Sequence, residues 1–187
     1  MNMTGERFIA APRMAVWASL NDPEVLKACI PGCESLEKIS ETQMKAVAGI
    51  KLGPVSAKFQ GQVTLSDLDP PNGYKISGEG KGGPAGFAKG GAEVRLLDQD
   101  AGTLLTYSVD AQVGGRIAQV GARLIDATAK SLAEQFFKKF AAVVEKPQTA
   151  AEPMRETTRE ASRNPGLFAR IWAAIVRLFS GPGKTKD

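Results

Sequence analysis

Cys29 and Cys33 are the only thiols in the chain, and they flank Ile30-Pro31-Gly32. A turn at Pro31-Gly32 could bring them together as a redox pair. In a reducing compartment their ordinary role is that of small buried hydrophobes, and that is the reading adopted. They cannot complete a zinc site, because the sequence contains no histidine and two thiolates need further ligands. The same absence removes the commonest general base and the usual activator of a serine or cysteine nucleophile. No pair of carboxylates falls on an inward face. The expectation is therefore no metal, no catalytic residue and no enzyme.

A second group of residues has types that suit a surface rather than a reaction. From Pro165 to Ser180 the sequence reads Pro-Gly-Leu-Phe-Ala-Arg-Ile-Trp-Ala-Ala-Ile-Val-Arg-Leu-Phe-Ser. At about 100° per residue, Leu167, Phe168, Ile171, Trp172, Ile175, Leu178 and Phe179 fall within an arc of about 140°, with Arg170 and Arg177 on the opposite side. Asn164 can cap this helix, Pro165 suits its first turn, and Gly181-Pro182 can stop it. Such a helix is expected to lie in an anionic membrane interface, with Arg163, Arg170 and Arg177 at the headgroups. Docking on a protein partner, on a second copy or over the body's own pocket are the alternatives. Sixteen residues rise only about 24 Å, short of a hydrocarbon core of about 30 Å, so spanning is not expected.

Charge supports this division. Residues 1–145 carry 16 Lys/Arg and 16 Asp/Glu, whereas residues 146–187 carry 8 and 4, so the net +4 belongs to the C-terminal part. The neutral body gives no clustered excess for nucleic acid, which is not expected as a partner. The N-terminal stretch has no apolar segment of a signal peptide, so the expected location is cytoplasmic, peripherally attached to the inner face of the cell membrane. The organisation expected is one domain over 1–145, a charged flexible tether over 146–164, the amphipathic helix over 165–180 and a disordered tail over 181–187.

The elements that must position any site lie in the body. A short strand at Thr4 to Ala10 precedes a helix opened by Pro12 (Arg13 to Leu20), and Asp22 or Asn21 can cap a second helix after Pro23, with Val25, Leu26 and Ile30 inward. From Glu34 to Val113, turn signals at Gly53-Pro54, Pro70-Pro71-Asn72-Gly73, Gly82-Gly83-Pro84 and Asp98 to Gly102 divide an antiparallel meander. Val55, Ala57, Phe59, Gly61, Val63 and Leu65 alternate with polar residues, as a sheet with one wet face requires. Gly90-Gly91 suggests a bulge near Phe87, with Lys89 or Glu93 as inward charges there. Apolar residues at helical spacing predict a long helix over about Arg116 to Glu145. The fold expected is α+β, a curved antiparallel sheet gripping a long C-terminal helix.

Many inward positions are small: Ala46, Ala48, Ala57, Gly61, Gly78 and Ala111. Either the helix approaches more closely there, or a ligand fills the space. An occupant should be mostly apolar. The residues taken to line the cavity are Phe59, Tyr74, Phe87, Tyr107 and Val109 from the strands, with Ile117, Val120, Leu124, Leu132 and Phe136 from the helix.

Pro31-Gly-Cys-Glu-Ser-Leu36 and the stretch from Gly114 to Phe140 resemble the CoxG family of carbon monoxide dehydrogenase subunits, within the START-like (SRPBCC) helix-grip superfamily. The resemblance covers residues 1–145 and is most specific along the final helix. It implies an accessory protein of a molybdenum hydroxylase of the carbon monoxide dehydrogenase type, with no catalytic residues to carry over. It also implies a non-covalently bound quinone or lipid as occupant of the cavity, carried between membrane and enzyme, and no covalent cofactor. A recruitment or assembly factor that anchors the enzyme without carrying a ligand is the alternative. A START-like cyclase or hydrolase fits poorly with a chain lacking histidine.

Overall fold

In the computed structural model, the structure describes residues 1–145. The tether over 146–164, the helix over 165–180 with its proposed membrane-binding residues, and the tail over 181–187 lie outside the described residues. The chain runs β1 (Asn2–Ile9), α1 (Arg13–Leu20), α2 (Pro23–Cys29), β2 (Cys33–Ser40), β3 (Gln43–Leu52), β4 (Val55–Asp69), β5 (Gly73–Lys81), β6 (Phe87–Gln99), β7 (Gly102–Gly114) and α3 (Ala122–Val144). The seven strands form one antiparallel sheet in the order β1-β7-β6-β5-β4-β3-β2. β2 to β7 are thus the meander, and β1 closes it by pairing with the last strand.

Local sequence accounts for most boundaries. Pro23 occupies the first turn of α2, and the Asp22 carboxylate accepts hydrogen bonds from the Glu24 and Val25 amides at 2.8 and 3.4 Å. That arrangement satisfies amides that no preceding carbonyl can reach. Pro12 takes the cap position of α1 instead of its first helical residue. Beyond α2 the chain turns through Gly32 at φ +73°, and Gly49 donates its amide to the Gly32 carbonyl at 2.8 Å. A side chain at Gly32 would run into the Gly49 carbonyl, so the position demands glycine for both reasons.

Two expectations are corrected. The long helix does not run unbroken from Arg116, because residues Arg116–Val120 form a 3₁₀ turn and Gly121, at φ +91°, breaks the backbone before α3 begins at Ala122. The bulge near Phe87 is absent: β6 pairs in continuous register with β5 over Phe87 to Arg95, and with β7 from Phe87 to Gln99. Lys89 and Glu93 consequently face outward, where Glu93 accepts from Arg95 at 2.7 Å. The pairing irregularities lie elsewhere, in β2 around Cys33 and Ser40 and between Ser66 and Asp69 at the β4–β5 turn.

The main core lies where α1, α2 and the C-terminal half of α3 cover the sheet. Ile9, Val16, Cys29, Leu96, Leu105 and Phe140 are almost wholly buried there. The buried Thr103 hydroxyl donates to the Ala11 carbonyl at 2.7 Å, and the Ala10 amide donates to the Glu145 carboxylate at 2.9 Å. These bonds fasten both ends of the helical layer to the β1–β7 edge. A second, smaller cluster of Leu52, Phe59, Ala85 and Ile117 closes the other end of the sheet.

Candidate ligand-binding site

A cavity of about 330 Å³ lies between the sheet and the helices. β4 supplies Val63 and Leu65, β5 Tyr74 and Ile76, β6 Ala92 and Val94, and β7 Leu105, Tyr107 and Val109. Met3, Leu36 and Met44 come from β1, β2 and β3, and Leu20, Leu26 and Ile30 from α1, α2 and the turn after it. α3 forms the remaining wall with Ala133, Phe136 and Phe137. No charged side chain takes part. The alternation of a half-wet sheet places these strand residues on one face, and the 3.6-residue repeat brings Ala133, Phe136 and Phe137 to the matching face of α3.

Aromatic packing fixes the walls. Trp17 meets Tyr74 edge to face at 5.4 Å, while Phe137 stacks on Tyr107 at 5.1 Å. Phe136 lies against Phe137 at 5.1 Å and stacks on the buried Phe140 at 5.6 Å. Such contacts hold the rings in place before any ligand arrives. Burial pushes the Tyr74 hydroxyl far above the ordinary tyrosine range, so it remains protonated at any physiological pH.

Of the cavity residues expected from sequence, Tyr74, Tyr107, Val109 and Phe136 are brought together here. The other six are placed elsewhere. Phe59 and Ile117 are buried in the second cluster, with Val120 packed against it. Phe87 is 39% exposed and Leu124 38% exposed, and Leu132 is half-buried outside the lining. The break at Gly121 turns the Arg116–Val120 segment toward the second cluster, which explains Ile117 and Val120. Phe87 lies at the far end of β6, with its ring over Gly114.

The small inward residues also have another role than the one expected, since none of Ala46, Ala48, Ala57, Gly61, Gly78 or Ala111 lines the cavity. A methyl group at Gly61 would strike the Glu79 carbonyl, and one at Gly90 the Asp110 carbonyl. The missing side chains there let the carbonyls of the neighbouring strands approach closely. Among the lining residues that sequence did not assign to the cavity, Ala92 and Val94 were hidden by the supposed bulge. Val63, Leu65, Ile76, Leu105 and Met44 were legible as inward residues, but not as neighbours of one space. Phe137, one turn from Ala133 and from Phe140 on α3, was not assigned to the cavity from sequence.

The cysteines do not form a reactive pair. Both are free, Cys29 buried and Cys33 half-buried, and burial raises both thiol pKa values against the opposing charges of Lys139 and Lys27. The Cys33 thiol donates to the Ser35 carbonyl at 3.5 Å. Raised pKa values suppress the thiolate that nucleophilic or redox chemistry requires. Among the described residues no cluster of Cys, Asp or Glu could hold a metal ion, and no helix is long and apolar enough to cross a membrane.

A curved antiparallel sheet wrapped around a long C-terminal helix, with an apolar space between them, defines a START-like (SRPBCC) helix-grip protein. The chain belongs to the CoxG family of carbon monoxide dehydrogenase subunits, whose model matches residues 5–145. Family membership suggests an accessory role beside carbon monoxide dehydrogenase. A conserved protein from Geobacillus kaustophilus of known crystal structure is 37% identical, with a TM-score of 0.74 over 78% of this chain and 96% of that one. The Zhui aromatase/cyclase from Streptomyces sp. R1128 is 16% identical, with a TM-score of 0.57 over 81% and 98% of the two chains. TTHA0849 from Thermus thermophilus is 19% identical, with a TM-score of 0.58 over 78% and 97%. The last two likenesses concern the fold alone. No curated protein matches the sequence significantly.

Proposed function

We propose that this protein is a membrane-associated accessory factor of a molybdenum hydroxylase of the carbon monoxide dehydrogenase type, and that its cavity carries an apolar ligand, a quinone, between membrane and enzyme. The observation that supports this reading is the cavity itself, about 330 Å³ and free of charged side chains. That volume lies near the lower end of the roughly 300–1,000 Å³ typical of small-molecule sites. A single quinone ring is small enough for that volume, and an isoprenoid tail would have to extend beyond it. Apart from the hydroxyls of Tyr74 and Tyr107 the lining is apolar, with no carboxylate, thiol or amine, and the role it suits is binding and transfer rather than conversion.

The C-terminal sequence supplies the second half of the proposal. The arc from Leu167 to Phe179, flanked by Arg170 and Arg177, would hold the body at an anionic lipid surface, and residues 146–164 would give it reach. Purified full-length protein should release a quinone or lipid on solvent extraction, and added ubiquinone-1 should raise its melting temperature. An empty extract together with an unshifted melting curve would leave the recruitment reading in its place. Changing Phe168, Trp172 and Phe179 to serine should free the protein from anionic liposomes, and unchanged co-sedimentation would reject the lipid role.

A further inference from the structure

In an antiparallel meander, alternate turns gather at the same end of the sheet. The β3–β4, β5–β6 and β7–α3 connections share one end, and the β2–β3, β4–β5 and β6–β7 turns share the other. Charge separates between the two. The first end carries Lys51, Lys58, Lys81, Lys89, Arg116 and Arg123, and the second carries Glu41, Asp67, Asp69, Asp98 and Asp100. The neutral body therefore has a basic end and an acidic end, a division that a charge count over residues 1–145 cancels.

Ion pairs do not remove the difference. At the basic end Lys58 is held by Glu34 at 2.7 Å, and Lys81 lies 3.8 Å from Glu79. No described carboxylate pairs with Lys51, Lys89, Arg116 or Arg123, all of them exposed. At the acidic end Arg13, Lys38 and Lys75 pair with Asp98, Glu41 and Asp67, while no described cation pairs with Asp69 or Asp100. The basic turns also meet one another. Pro54, Lys58, Gly82, Pro84 and Arg116 line one hollow, and the Leu124 side chain packs beside Gly53. Apolar residues stand among the cations, with Phe87, Leu124, Pro54 and Pro84 all exposed.

We infer that this basic end is a lipid-contact face of the body itself, by which the domain sets down on an anionic bilayer with its acidic end turned away. Clustered cations alone would equally suit a phosphate backbone. Exposed apolar side chains between them gain burial in the headgroup region of a bilayer, where the cations meet anionic lipid. The acidic end is repelled by the same surface, so the charge separation also sets which way the body faces. This inference rests on the membrane half of the proposed function and deepens it. There the C-terminal segment supplies attachment, and here the turns of the sheet supply orientation.

Hydrogen exchange read by mass spectrometry on the full-length protein tests the face, with vesicles of phosphatidylcholine alone or mixed with phosphatidylglycerol. On the mixed vesicles, peptides covering 51–58, 81–89 and 114–123 should exchange more slowly, while those covering 67–73 and 98–102 keep their rates. Lys89→Gln combined with Arg116→Gln removes two exposed cations, and an unshifted melting curve confirms that the variant is folded. Each cation lost should weaken co-sedimentation by up to roughly fivefold, the effect of one basic residue near an anionic surface. Protection of the basic turns should fall with it, while the peptide over 165–180 stays protected. Slowing at 165–180 alone, or equal slowing at both ends of the body, would overturn the docking face and leave the C-terminal membrane contact standing. Equal slowing on both kinds of vesicle would overturn selection by charge. Slowing at these turns that follows protein concentration without vesicles would give the face to a second copy instead. No protection anywhere in the chain would overturn the membrane reading as well.

Discussion

Replacing Ala133 with leucine tests whether the space between α3 and the sheet is available volume. Ala133 sits midway along α3, half-buried, and forms part of the cavity wall. Leucine adds three carbon atoms, each worth about 0.8 kcal/mol when moved from water into an apolar space. The largest gain is therefore about 2.4 kcal/mol, reached if all three enter the void and none remains at the mouth. The helix backbone adds little, because leucine and alanine are both strong helix formers. For a domain of this size, 1 kcal/mol moves the melting temperature by about 2–4 °C, so the rise should be at most about 5–10 °C. Three carbons occupy only a fraction of about 330 Å³, so a ligand would still enter but with less room. Thermal and urea unfolding of the delipidated protein measure the first effect, and menadione titration should show weaker binding. A well-packed wall would give the opposite sign, since forcing extra carbons into filled space costs about 1–3 kcal/mol. A lowered melting temperature with unchanged menadione affinity would refute the assignment of this volume to a ligand.

Two further predictions concern the frame around the cavity. Phe140 is fully buried and stacks on Phe136, so Phe140→Ala should cost about 3–5 kcal/mol in urea unfolding; a loss below about 1 kcal/mol would mean that α3 is held by other contacts. Asp67 pairs with Lys75 at 2.7 Å, and the hydrogen bond and charge of that lysine hold its carboxyl below the ordinary 3.8. A depressed folded pKa gives stability that is present above the unfolded value and disappears as pH falls through the folded one. Asp67→Asn retains a residue suited to the positive φ of 49°. The small advantage of the wild type at neutral pH should therefore begin to shrink as pH falls below 3.8 and be lost once pH passes the lowered folded value; an advantage that does not shrink in acid would contradict the assignment.

The order of elements was legible because its signals are local. Asp22-Pro23 marks the start of α2, Gly53-Pro54 separates two alternating runs, and apolar spacing marks α3. Strand alternation likewise gave the correct inner face for β3, β4 and β7, since side chains on a pleated strand must point alternately to its two sides. The errors arose where one residue has two structural uses. Gly90-Gly91 can mark a bulge or admit a close neighbouring backbone in a regular strand, and only the register with β7 distinguishes them. Gly121 lies inside an apolar periodic run that could have continued as helix, yet its backbone stands at φ +91°.

For the site, sequence by itself determined the chemistry of the wall: apolar, without histidine, carrying tyrosine at positions 74 and 107 on the inward face. It also determined that the net charge of +4 is carried by residues 146–187, because charge is counted along the chain. Only the tertiary structure decided where the void lies. Gly61 and Gly90 admit close approach of the neighbouring strands, while the space opens among larger side chains. It likewise decided that Tyr74 and Tyr107 share one row and that Phe59 and Ile117 pack in a separate cluster. The physical reason is that a cavity is a property of surfaces meeting. Bend, register and the distance between helix and sheet are set by contacts between residues far apart in the chain, and no local pattern encodes those distances.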